Sequence, residues 1–332
     1  MDAQDVADAF GLGRAASLSD PVARGELGEI RRLETDRGVW AVKQELEPWD
    51  PSAAEPDAEH GGAFHLACWD AGVPCPQPVV GPAGRFAVEV GGERVRAYTW
   101  VDIADPDTGL DPVAVGELLA SLHAVHHHSA YSVDPWFEAP IGEREWKGVL
   151  KASRAAGAPY ADRLAEVLPH LLEVESILTP MARVQTCHLD LWADNLRRTT
   201  GGDLCVIDFD NAGPADPSRE LAMVAYEVGR GELGRGDATR QQRLYSAYVA
   251  AGGPGRVTRR EDLGMTVAQL HHIGHRHLDM WLTAADPEAR ARSLAGVQEF
   301  LGQPLLLADV DRLVRALTGS GSTPSPPVPS AG

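Results

Sequence analysis

The chain has 332 residues, enough for two parts with separate cores but too few for many independent modules. Its 30 Lys and Arg against 48 Asp and Glu leave a formal charge of −18, which speaks against nucleic acid and anionic membrane as partners. The same acidity either draws in a cationic small ligand or simply keeps the chain soluble.

Residues 2–10 suit a short helix, after which Asp20-Pro21, Gly25 and Gly28 read as a loop. Residues 29–33 and 39–45 are strand-like, and Thr35-Asp36-Arg37-Gly38 between them predicts a hairpin. A helix is expected over 56–71, ended by Gly72-Val73-Pro74. Two more strands, 86–90 and 95–101, flank Gly91-Gly92. From Ile103 to Pro112 the chain is rich in Pro and Asp, and helical periodicity dominates beyond it: 113–126, 161–178, 218–230, 237–251, 260–284 and 287–301. Two short strands interrupt the helices within 184–208. The expected organisation is a sheet-rich part over 1–97, a connection at 98–104, a helical part over 105–318, and a tail at 319–332. The Gly, Ser and Pro of that tail bury too little apolar surface to order it.

Cys68, Cys75, Cys187 and Cys205 lack the close spacing of a disulfide framework, so reduced thiols and a cytoplasmic location are expected. No basic segment followed by an apolar core opens the sequence, and no apolar run reaches the roughly 18 residues of a membrane span.

The segment richest in chemistry is His188-Leu189-Asp190-Leu191-Trp192-Ala193-Asp194-Asn195, followed by Leu204-Cys205-Val206-Ile207-Asp208. An acid at Asp190, an amide five residues later and a second acid ending an apolar strand are the parts that phosphoryl transfer needs. Asp190 can accept a proton from a hydroxyl, and Asn195 and Asp208 offer the hard oxygen donors that Mg²⁺ prefers. Upstream, Lys43 closes an apolar strand, where a lysine can neutralise phosphates; Glu59, on the helix that follows, is its expected partner, with Glu55 as the alternative. Gly25 and Gly28 lie where a loop could approach phosphates, although G-x-G-x-x-G is incomplete and a plain turn explains them as well. No G-x-x-x-x-G-K-[ST] occurs, which disfavours P-loop nucleotide hydrolases. Tyr98 and Trp100 end the last strand, either as the stretch that meets a nucleotide base or as ordinary aromatic packing. His271 and His275 have the i, i+4 spacing of a zinc pair, and His126-His127-His128 reads as favourable charge at a helix C-terminus.

His188-Leu189-Asp190-Leu191 with Asn195 resembles the H-R-D-L-x-x-x-N loop of protein kinases except at Leu189, and no A-P-E signature follows Asp208-Phe209-Asp210. With Ile207-Asp208, Gly213-x-x-Asp216-Pro217-x-x-Glu220-Leu221-Ala222 and Ala71-Gly72-Val73-Pro74, the chain resembles the aminoglycoside phosphotransferase and choline kinase-like small-molecule kinases from about residue 20 to 300. The resemblance implies an α+β, bilobal, protein kinase-like fold, with a small antiparallel-sheet N-lobe carrying one helix and a larger, mainly helical C-lobe. It implies ATP, or GTP in its place, between the lobes, with Lys43 on the phosphates, Asn195 and Asp208 on Mg²⁺, Asp190 on the acceptor hydroxyl, and His188 and Asp216 bracing the loop. Glu220 departs from a more usual aspartate. Asp194, Asp210, Trp192, Glu227, Glu232, Asp279 and Asp286 are candidates for the acceptor site, with His277 and Trp281 as added aromatic surface. The implied enzyme is a monomer or homodimer that phosphorylates a small, cationic acceptor, an aminoglycoside or peptide antibiotic in a resistance role. The alternatives are a metabolic kinase for choline, homoserine or a similar amino alcohol, and a non-catalytic nucleotide-binding pseudokinase.

Overall fold

The structure, a computed structural model, describes residues 1–25, 28–46, 56–230 and 236–319, with side chains of the second helix described from residue 59 onward. Expectations at Glu26-Leu27, Glu55, Glu232 and the tail from 320 lie outside the described residues. The chain divides into two compact units. One comprises Met1–Ser132, Val184–Ala215 and Ala251–Gly253; the other comprises Val133–Arg183, Asp216–Ala250 and Pro254–Gly332. No helix among the described residues is long and apolar enough to cross a membrane.

The first unit opens with α1 (Ala3–Phe10), where the Asp2 side chain accepts the N–H groups of Gln4 and Asp5 and Gly11 ends the helix at φ 66°. Strands β1 (Ala15–Leu18) and β2 (Ala23–Arg24) follow inside the stretch expected to be loop. β3 (Gly28–Thr35) and β4 (Gly38–Glu45) form the expected hairpin in register Thr35↔Gly38. After α2 (Pro56–Asp70), β5 (Ala87–Val90) and β6 (Glu93–Thr99) turn tightly at Gly91 and Gly92, both at positive φ as such a turn requires. The strands make one antiparallel sheet in the order β1-β3-β4-β6-β5, with β2 on β3. Val6, Ala7 and Phe10 of α1 bury against Leu33, Val42, Val95 and Ala97, covering one face of that sheet.

α3 (Pro112–His123) starts at Asp111 with Pro112 in its first turn. It stops before the histidine run, and burial lowers the pKa of His127, with His128 acting in the same direction; His127 therefore does not serve as a cation on the helix end. β7 (Gln185–Cys187) pairs with β10 (Gly213–Ala215), and β8 (Leu196–Arg198) pairs with β9 (Leu204–Val206).

The second unit is helical: α4 (Pro135–Glu138), α5 (Glu143–Ala155), α6 (Ala161–Glu175), α7 (Pro217–Arg230), α8 (Ala238–Ala250), α9 (Gly264–Thr283) preceded by a 3-10 turn at Arg260–Leu263, α10 (Pro287–Gly302) and α11 (Leu307–Thr318). Its core joins Trp146 of α5, Leu164 and Leu171 of α6, Leu278 and Trp281 of α9, and Val297 and Leu301 of α10. Trp281 is thus a core residue, T-stacked on Tyr160 at 5.2 Å. Beside that core lies a buried carboxylate, Glu175. It accepts the N–H of Ile141 (3.2 Å), of Gly142 (3.1 Å), Trp146 Nε1–H (2.8 Å) and His271 Nδ1–H (2.9 Å). His271 is therefore engaged by Glu175, and His275 Nδ1 lies 3.3 Å from Asp279. The i, i+4 histidine pair serves two separate carboxylates instead of a common metal.

Candidate active site

Two small ladders bring the motif loops together. The β7–β10 pair spans the outer ends and the β8–β9 pair the inner ends, so residues 188–195 and 208–212 emerge side by side within the first unit. His188, fully buried, donates Nε2–H to the carbonyl of Ile207 at 3.1 Å, while Ile207 N–H bonds to Asn195 O at 3.0 Å. These bonds fix the residue just before Asp208. Leu189 and Asp208 are the non-glycine residues among those described with positive φ, 68° and 61°. Left-handed backbone is disfavoured for such residues by about 1 kcal/mol or more each, so the surrounding bonds hold the two loops in a strained form.

Asp190 is held at one oxygen. Its Oδ2 accepts Asn195 Nδ2–H at 2.9 Å and Asn211 Nδ2–H at 3.1 Å, and no described residue hydrogen-bonds its Oδ1. Asn195 also donates to the Asp190 carbonyl at 2.8 Å, which turns its amide nitrogen inward and its Oδ1 away. Burial pushes the Asp190 carboxyl above the usual carboxylate range, against the opposing effect of His188 and of the Asn211 and Asn195 hydrogen bonds.

Lys43 reaches the same place from β4. Its Nζ lies 2.8 and 2.9 Å from the two oxygens of Asp208 and 2.7 Å from Asp210 Oδ2. Burial disfavours the charged amine, but Asp210 and Asp208 outweigh it and hold the pKa above its ordinary value. Gly28 belongs to this arrangement: a Cβ there would sit 3.0 Å from Gln44 O and 3.2 Å from Lys43 Cε. Gly25 N–H bonds to Gly28 O at 2.8 Å.

Glu59 departs from expectation. Its carboxylate accepts the N–H groups of Phe86 and Ala87 and pairs with Arg85 Nε at 3.1 Å, while Lys43 pairs with Asp208 and Asp210 instead. Asp210, expected at the acceptor, is instead locked between internal cations: Arg96 Nη1 and Nη2 lie 2.5 and 2.8 Å from its oxygens. Burial alone would raise its pKa; Arg96 and Lys43 hold it below the ordinary range. Arg96 and Asn211 were missed in the sequence. Neither sits in a motif; only the β4–β6 ladder sets Arg96 directly opposite Lys43.

α2 docks onto this site through Phe209. A Cβ on Gly61 would lie 2.7 Å from Phe209 O, and His65 stacks on the Phe209 ring at 3.9 Å, where burial drives its pKa down to about 3 and keeps it neutral. The Phe209 ring in turn meets His188 edge-on at 4.7 Å. Burial raises Tyr98 to about 12, and the amides of Thr99 and Trp100 bond to Gln77 O and Val39 O. Trp192 is half-buried and Asp194 exposed in the loop. Asp216 starts α7 by accepting Ser218 N–H at 2.9 Å, and Asp216, Glu227 and Asp279 belong to the second unit.

Residues 21–261 match the model of the phosphotransferase enzyme family, well over half of the chain. The chain belongs to this family. The phosphotransferase also has the fold of solved relatives at low identity. Against a spectinomycin phosphotransferase solved with ADP and spectinomycin it is 13% identical with a TM-score of 0.63, over 96% of this chain and 99% of that one. Against an aminoglycoside phosphotransferase from Alicyclobacillus acidocaldarius subsp. acidocaldarius DSM 446 it is 17% identical with a TM-score of 0.57, over 94% of each chain. A choline kinase from Streptococcus pneumoniae is 14% identical with a TM-score of 0.52, over 87% of this chain and 95% of that one. The α+β architecture of the phosphotransferase is that of the protein kinase-like small-molecule kinases.

Proposed function

We propose that this phosphotransferase moves the terminal phosphoryl group of ATP to a hydroxyl of a small, cationic molecule, with an aminoglycoside or peptide antibiotic as the leading acceptor class. The observation that carries this reading is the arrangement at Asp190: a half-buried carboxylate anchored at Oδ2 by two amides, with Oδ1 left to accept a proton. The acceptor hydroxyl would give its proton to Oδ1, and the raised pKa of the carboxyl brings it closer to the working pH. Asn195 and Asp208 fit a divalent cation. Both offer hard oxygens, and Asn195 holds its nitrogen on Asp190 so that only oxygen faces outward. Mg²⁺ bound there would neutralise charge on the phosphates as it shifts toward the leaving group. Lys43 would add its charge on the phosphate side. His188, Leu189 and Ile207 keep the two loops in register.

The formal charge of −18 supports a cationic acceptor, and four free, buried cysteines support a reducing cytoplasm, where ATP is supplied. A resistance role follows if the acceptor is an antibiotic. The likeness to a choline kinase supports an amino alcohol as the second acceptor class.

Incubation of the full chain with Mg-ATP and a panel of aminoglycosides, peptide antibiotics, choline, ethanolamine and homoserine tests this. The expected result is one compound gaining the mass of a single phosphoryl group, with stoichiometric ADP. Binding of Mg-ATP with no acceptor modified anywhere in the panel would favour a non-catalytic nucleotide sensor.

A further inference from the structure

Lys43 shares its charge between two carboxylates. Its Nζ lies 2.7 to 2.9 Å from Asp208 Oδ1, Asp208 Oδ2 and Asp210 Oδ2. To bring its charge onto a phosphate it must draw away from at least one of them, and an enclosed carboxylate that loses its only cation is strongly destabilised. The two carboxylates differ in this respect. Asp208 has the more open side chain, 38% exposed against 19% for Asp210, and is the one placed to meet a cation from outside. Asp210 is gripped a second time by both Nη atoms of Arg96, a fork-on-fork pairing.

Arg96 stands directly across the β4–β6 ladder from Lys43, so both side chains share one face of the sheet. Two like charges facing each other there would repel, and Asp210 between them removes the repulsion. Arg96 is itself fixed from behind by Glu45, whose Oε1 lies 2.9 Å from Nη2 and whose Oε2 lies 3.4 Å from Arg94. From Arg94 through Glu45, Arg96, Asp210 and Lys43 to Asp208, the charges alternate in sign.

We infer that Arg96 is a positioning residue for nucleotide binding, an inference that rests on the phosphotransfer reading above: by compensating Asp210 alone, it frees Lys43 to move to the phosphates. Lys43 is the mobile member of the chain and Arg96 the fixed one. Without Arg96, Lys43 has to stay with Asp210, and the nucleotide loses its cation.

The test is the dissociation constant of Mg-AMP-PNP, measured by calorimetry on the full chain with thermal unfolding recorded alongside. Arg96→Met is expected to weaken binding by about 5- to 30-fold. Adding Asp210→Asn to that variant should restore most of the affinity, since no buried charge then holds Lys43 back. Arg96→Lys, which keeps the charge but not the fork, should fall between wild type and Arg96→Met. If Arg96→Met does not fold, Arg96→Lys with and without Asp210→Asn carries the same comparison with the same sign. Wild-type affinity in Arg96→Met, or no recovery in the double variant, would overturn the inference while leaving the phosphotransfer reading intact. Wild type that fails to bind Mg-AMP-PNP would overturn both.

Discussion

Asp190→Ala is expected to lower turnover by roughly 10²- to 10⁴-fold, the usual loss when a positioned base is removed, with affinity for Mg-AMP-PNP close to that of wild type. The separation of the two effects follows from Asn195. Its amide donates to the backbone carbonyl of Asp190 at 2.8 Å as well as to the side chain, so the substitution leaves Asn195 oriented by the main chain. Asp190→Asn should be similarly slow, since an amide fills the space but accepts no proton. ADP release under saturating acceptor measures the first effect and calorimetry the second. Turnover unchanged in either variant would remove Asp190 from the chemistry.

Glu175→Ala is expected to destabilise the second unit by about 3 to 5 kcal/mol, because removing one partner of a buried charged network leaves the others unsatisfied. The groups left behind are the amides of Ile141 and Gly142, Trp146 Nε1–H and His271 Nδ1–H. The effect depends on pH with a definite sign. Burial raises the Glu175 carboxyl, but the hydrogen bonds from His271, Trp146 and Gly142 outweigh it, and the folded pKa lies below the ordinary value. A carboxylate with a depressed folded pKa stabilises the fold above its unfolded pKa, about 4.3, and loses that contribution as pH falls toward the folded value. The stability gap between wild type and Glu175→Gln should therefore be full at pH 7 and shrink once pH drops below the unfolded value. Denaturant unfolding at neutral and acid pH measures it, and an equal gap at both would contradict the assignment.

Much of the architecture was legible because its signals are local. The β3–β4 hairpin has a two-residue turn between strand-forming runs, and α2 ends at glycine and proline. β1 was missed because its burial does not alternate, and α5 because its apolar residues are few among charges. α4 is a single turn, and α11 follows Pro304 near the end of the periodic pattern. At the candidate site, Asp190, Asn195, Asp208 and Lys43 come together within one unit, and the fixed spacing of the loop made the first three readable. Helical-face reasoning does not distinguish Lys43 from Arg85 as a partner for Glu59; only the sheet's three-dimensional arrangement decides it. Arg96 and Asn211 carried no motif. A strand arginine reads as solvent-facing until the carboxylate that draws it inward, Asp210, is known to stand beside it.

The most direct test of the phosphotransfer site replaces Mg²⁺ by Mn²⁺ and follows the metal by electron paramagnetic resonance as AMP-PNP is added. Nucleotide-dependent Mn²⁺ binding is expected in wild type and in Asp190→Ala, and its loss is expected in Asn195→Ala and Asp208→Ala. Mn²⁺ held as tightly with both of those side chains removed would contradict the assignment of a metal nucleotide to Asn195 and Asp208.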